Sequence, residues 1–202
     1  MPPSKSPRPT PSRKSGASAA KPKLSRQRQP ERMSIEDWQI QLRRQYGRDQ
    51  DFVLEKLGRE PIFSEYLVHN PLSGGRYRIR IGGRAPGQNL CSCPDFSTND
   101  LGTCKHIEFA LGKLEQQRGA KSAFKRGFHA AYSELYLDYA GARRVRFRAG
   151  SGCSAALREL ALSMFDADSD YGLAPERYAQ LPQFLAAAEA AGDEVRCRDD
   201  AL

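Results

Sequence analysis

The sequence predicts an α+β fold: a small antiparallel β-sheet plus a helix, flanked by further helices and led by a basic tail without structure of its own. Three observations lead there. Arg76-Tyr77-Arg78-Ile79-Arg80-Ile81 alternates basic and apolar residues with period two, as a half-buried strand does. Ile107, Phe109, Ala110, Leu111 and Leu114 then supply an apolar face at helical spacing. Between them, Cys91, Cys93, Cys104 and His106 fall within the sixteen-residue run CSCPDFSTNDLGTCKH, so strand and helix meet at four residues able to hold a metal ion.

The chain of 202 residues has room for one domain of ordinary size or two small ones. Residues 1–33 carry nine Lys or Arg against one acid, a surplus equal to the net charge of +8 on the whole chain. This stretch is rich in Pro, Ser and Ala, and beyond Met1 its only large apolar residues are Leu24 and Met33. It cannot bury enough surface to offset chain entropy, so it is expected to be disordered. Two readings stay open for it, a basic arm on nucleic-acid phosphates or a solubilising leader.

Ser34 reads as a helix cap, with Glu36 and Asp37 in the first turn. Trp38, Leu42, Tyr46, Phe52, Val53 and Leu57 continue as a helical stripe, bent or interrupted at Gly47 and closed at Gly58, so residues 34–60 form an N-terminal helical segment. Trp38 reads as a packing anchor. From Pro61 the texture changes. Residues 65–69 are a short strand, 70–75 a turn, 76–81 the alternating strand and 88–92 a third strand, with residues 104–118 helical. These make one unit, 61–118. Residues 119–202 are expected to be a mixed helical region. Within it, 121–139 is helical or irregular and aromatic-rich, 145–147 a short strand, 155–165 and 175–191 helices, and 194–198 a last strand.

Three thiolates and one imidazole complete a tetrahedral zinc site and leave no position open, so the expected cofactor is structural Zn2+ on Cys91, Cys93, Cys104 and His106. The C-x-C pair is tight, which calls for a turn at a strand end, where Pro94 and Asp95 begin the bend. Thr103 reads as the cap of the following helix, whose N-terminus favours thiolate charge, and Lys105 partly compensates the surplus negative charge of such a site. The competing reading is a buried thiol cluster with a chance histidine. No signal peptide and no run of eighteen apolar residues is present, so neither export nor a membrane span is expected. The compartment expected is the reducing cytoplasm, where such cysteines bind metal rather than pair as disulfides.

The C-x-C, ten-residue spacer and C-x-H, with Pro94-Asp95-Phe96 after the first pair and Lys105-His106-Ile107 at the second, resemble a SWIM-type zinc finger over residues 64–115. The resemblance implies a small sheet and helix that bind DNA or a protein. A looser similarity runs over residues 31–202, to the region preceding the motor in bacterial Swi/Snf-type helicases. No G-x-x-x-x-G-K-[ST] phosphate loop is present, so ATP-driven activity does not transfer to this chain. A severed helicase N-terminus, a stand-alone adaptor and an accessory module all remain open.

No nucleophile–base pair is visible, and no enzyme activity or small-molecule substrate is expected. His69 and His129 read as surface or packing residues, Cys153 and Cys197 as structural thiols, and Asp166, Asp168 and Asp170 as a solvated loop. The functional expectation is a zinc module that contacts nucleic acid, DNA in the first place, through Arg76, Arg78, Arg80 and Lys105. The alternatives are an ordinary solvated strand face for the arginines and, for the whole, an adaptor docking onto a helicase-like protein.

Overall fold

The structure, a computed structural model, describes residues 23–198. Most of the expected tail, residues 1–22, lies outside the described residues, as do 199–202. The first helix, α1 (Ile35–Arg48), starts as expected, with the Ser34 side chain accepting from the Asp37 N–H at 3.0 Å. Residues just ahead of it run along its side rather than leaving it. The Trp38 indole N–H donates to the Ser25 carbonyl at 3.1 Å, Gln45 accepts from the Leu24 N–H at 2.7 Å, and Lys23 pairs with Asp49 at 2.6 Å.

The expected helical stripe beyond Gly47 is corrected. Helix α1 ends at Arg48, and β1 (Val53–Lys56) pairs antiparallel with β2 (Glu65–His69). Phe52 and Leu54 turn to the core while Val53 stays exposed, so the local period is two and its match to helical spacing was coincidental. Gly47 does not break the helix. It is the buried residue of α1, and a Cβ there would lie 2.4 Å from the Lys105 carbonyl oxygen, so glycine serves close helix approach.

Strands β1 and β2, with β3 (Arg76–Arg80) and β4 (Leu90–Cys91), make an antiparallel sheet in sequence order. Its register places Tyr66 opposite Ile79 and Ile79 opposite Cys91, giving one apolar face. Helix α2 (Pro94–Thr98) and helix α3 (Lys105–Leu114) follow, and α3 buries Ile107, Phe109, Ala110, Leu111 and Leu114. Together these build a first core with all three cluster cysteines inside it.

The region read as mixed helical is a second α+β unit. After α4 (Ala120–Arg126), β5 (Ser133–Asp138) pairs antiparallel with β6 (Arg144–Arg148) and parallel with β7 (Val195–Cys197). Strand β5 buries Ser133, Glu134, Leu135 and Tyr136 in succession, which erases the alternation that marks a strand in sequence. Helices α5 (Ala155–Met164) and α6 (Leu181–Ala190) complete a second core with Phe147, Phe165 and Phe184. The expected helix over 175–191 divides in two: Pro175–Gln180 is a 3-10 stretch, and Pro182 starts α6 afresh.

The two units meet through charge as well as rings. Glu134 is 2% exposed and accepts from Arg80 of β3 at 3.1 Å, Arg148 of β6 at 2.8 Å and Arg198 at 3.2 Å. Nearby the rings of Phe96 and Tyr139 lie 4.6 Å apart. At Gly87, with φ of +83°, a Cβ would stand 2.5 Å from an Asp138 carboxylate oxygen, so no other residue fits between the units there. Changing Glu134 to Gln removes the negative charge that three guanidiniums share. Urea unfolding should then show a loss of about 3–5 kcal/mol, against less than about 0.5 kcal/mol for exposed Glu36→Gln. A loss below about 1 kcal/mol would mean the cluster does not join the sheets.

Candidate metal centre

The four residues expected to bind metal reach the same point from three pieces of local structure. Cys91 ends β4, on the core face of the sheet. Cys93 caps α2, its sulfur accepting from the Phe96 N–H at 3.4 Å, with Pro94 opening the helix behind it. Cys104 occupies the cap position of α3 without making a side-chain cap bond, and His106 follows in the first turn. Thr103, expected to be the cap, instead donates its hydroxyl to buried Glu108 at 3.1 Å. The cap position frees the Cys104 sulfur to join the cluster.

The four ligand atoms all lie within 4.8 Å of one another, and every ligand residue is buried, Cys104 completely. Cys91 Sγ and His106 Nδ1 are 3.8 Å apart. Sulfur and nitrogen donors bonded at about 2.0–2.3 Å to one tetrahedral ion would stand about 3.5–3.8 Å from each other. The cluster therefore fits one metal ion. The His106 ring packs against two aromatic rings, Tyr77 stacked at 4.4 Å and Phe52 at 5.4 Å, which restrict its orientation.

Around the cluster, α1 supplies charge partners that the local sequence did not signal. Arg43 donates to both Asp95 oxygens, at 3.2 and 2.7 Å, and so steadies α2 beside Cys93. Arg44 reaches buried Glu108 at 2.8 Å on α3, and Arg48 reaches Glu115 at 2.9 Å. The separations of 52, 64 and 67 residues explain why no local pattern revealed them.

The sequence-predicted nucleic-acid residues do not gather on one open face. Arg76 and Arg78 have side chains 63% and 71% exposed on the outer face of the sheet, opposite Glu55 at 4.0 Å and Glu65 at 3.1 Å. Arg80 is three-quarters buried and pairs with Glu134 at 3.1 Å. Lys105 is half-buried on the α1 side of α3, its ammonium 5.6 Å from the centre of the Tyr46 ring. Among the described residues no helix is long and apolar enough to cross a membrane. Comparisons with protein-family models, with curated proteins and with solved structures find no match.

Crowding of three thiols decides where negative charge sits without a metal. Hydrogen bonds from Cys104 and Cys91, and further from the Phe96 N–H, hold Cys93 far below the usual thiol range. The hydrogen bonds Cys91 makes to Cys104 and Cys93, together with burial, push its thiol far up, and burial pushes Cys104 up. Without a metal, three thiols this crowded and buried cannot all be ionised at once. A bound ion needs all three ionised, so protons compete with metal and affinity weakens as pH falls. Titration with zinc in buffers of differing ionisation enthalpy should show protons released as the ion binds near pH 7. Uptake without proton release would contradict this charge distribution.

Proposed function

We propose that the chain is a zinc-stabilised module of SWIM type that contacts nucleic acid, DNA in the first place, as an accessory to a Swi/Snf-type helicase. The observation that carries the reading is the closed donor set: three thiols and one imidazole, buried and within 4.8 Å. That set is the one structural zinc takes, whereas catalytic zinc keeps a fourth position for water or substrate. The ion would hold β4, α2 and α3 together and supply no chemistry beyond that, which supports binding over catalysis.

Phosphate contact is supported by charge. Residues 1–22 hold five basic side chains (Lys5, Arg8, Arg13, Lys14 and Lys21) and no acid. Arg76 and Arg78 add two exposed guanidiniums on the outer sheet face. Their carboxylate partners are themselves exposed, and such surface pairs are worth less than about 1 kcal/mol, so phosphates can displace them. The same pairing favours a second reading, an adaptor on a helicase-like protein, because Glu55 and Glu65 leave the outer face near charge balance.

Salt separates the two readings. With about three to four arm charges on phosphates, the log–log slope of duplex DNA affinity against salt should be about −3 to −4. Changing the five basic residues of 1–22 to Ser should flatten it, and Arg76→Ala with Arg78→Ala should weaken the remaining binding. Binding lost entirely with the five changes, and indifferent to the arginine pair, would favour the adaptor.

A further inference from the structure

We infer that the cleft between the two sheets takes an unpaired nucleotide, its base against Tyr132 and Arg196 and its phosphate on Arg78 and Arg59. The inference rests on the nucleic-acid reading and narrows it to single strands. The cleft has a volume of about 690 Å³, lined on one side by β3, β4 and the loop after β1, and on the other by residues leading into β5 and by β7. That volume lies within the roughly 300–1,000 Å³ of sites that enclose small ligands.

Its chemistry is that of an aromatic anion site. Five arginines line it against three glutamates, and none of its cations is a lysine. Guanidinium is planar, stacks on rings and binds phosphate oxygens in pairs, whereas an ammonium offers only a point charge. The Arg196 guanidinium carbon lies 3.7 Å from the centre of the Tyr132 ring, which makes a flat platform at the cleft wall. Half-buried Phe128 stands in the same wall, held against Phe63 with ring centres 5.5 Å apart. At the rim, Arg59 makes no ion pair among the described residues, and the Arg78 and Arg196 side chains are 71% and 57% exposed. Their partners Glu65 and Glu194 are exposed too, so these pairs are weak enough to yield to a phosphate.

Shape decides between single strand and duplex. A ring set inside a concave cleft meets only a base that has left its stack, and base-on-aromatic stacking tolerates any sequence. The metal centre bears on this cleft directly. Ser92 lies between ligands Cys91 and Cys93, its hydroxyl accepts from the Arg78 N–H at 3.0 Å, and its own N–H donates to the Arg78 carbonyl at 2.9 Å. The backbone of the phosphate-binding arginine is therefore fixed by the turn that holds two metal ligands.

The test uses the full-length, zinc-loaded chain with fluorescein-labelled oligothymidylate and a duplex of equal length, plus an oligoglutamate peptide. The single strand should bind more tightly than the duplex. Tyr132→Leu should weaken single-strand binding by about 5- to 150-fold, Tyr132→Phe should restore it, and duplex affinity should move less than about twofold. Exposed Arg59→Ala should weaken the single strand without touching the fold, which keeps the question answerable if Tyr132→Leu misfolds. Equal binding of both forms, unchanged in every cleft variant, would overturn the cleft while leaving nucleic-acid contact intact. Binding of neither nucleic acid would overturn both readings. Tyr132-dependent binding of the oligoglutamate alone would also overturn the inference, assigning the cleft to an acidic protein segment.

Discussion

Three thiols and an imidazole held within 4.8 Å inside a protein form an arrangement that hydrophobic packing alone does not favour. Thiolates repel one another, and burial penalises each charge. A divalent ion at the cluster would reverse both effects at once and couple its binding to the formation of the core around it. Cys91 ends a two-residue strand, Cys93 opens a five-residue helix, and Cys104 and His106 open a ten-residue one. None of these three elements is long enough to persist alone. The four ligand side chains converge within 4.8 Å, and around them β4, α2 and α3 share one core with β2 and β3.

Beyond that centre, arginine does much of the joining that apolar side chains do in other small domains. Helix α1 buries Gly47 alone among its residues, yet it is fastened across α3 and α2 by Arg43, Arg44 and Arg48. Glu134 draws guanidiniums from β3, β6 and the residue after β7, and so ties one sheet to the other. Such pairs are directional. They fix orientation in a way that apolar contact does not, at the cost of desolvating charge. The cleft between the sheets follows from this geometry, since the charged joint holds the units together at its floor while Tyr132, Arg196 and Arg78 line the opening.

What could be read from the chain was local. The metal ligands stood out because four uncommon residues recur at fixed short spacing, and β3 and α3 because each has one buried face with a clear period. Strand β1 was hidden because Phe52, Val53 and Leu57 also fit a helix, and only pairing with β2, across a long connection, decides for a strand. Strand β5 was hidden because burial on both faces removed its alternation, and its parallel partner β7 lies some sixty residues on. Arg80 looked like one of three equivalent arginines. Its distinction is Glu134, 54 residues away, which no local pattern reveals. The cleft was illegible for the same reason, because its walls come from opposite halves of the chain.

The central claim is that one metal ion binds Cys91, Cys93, Cys104 and His106 and nothing else. X-ray absorption at the metal edge of the purified chain measures this directly. The account predicts one zinc per chain with three sulfur neighbours at about 2.3 Å and one nitrogen at about 2.0–2.1 Å. A first shell containing water or carboxylate oxygen, or fewer than three sulfurs, would contradict it.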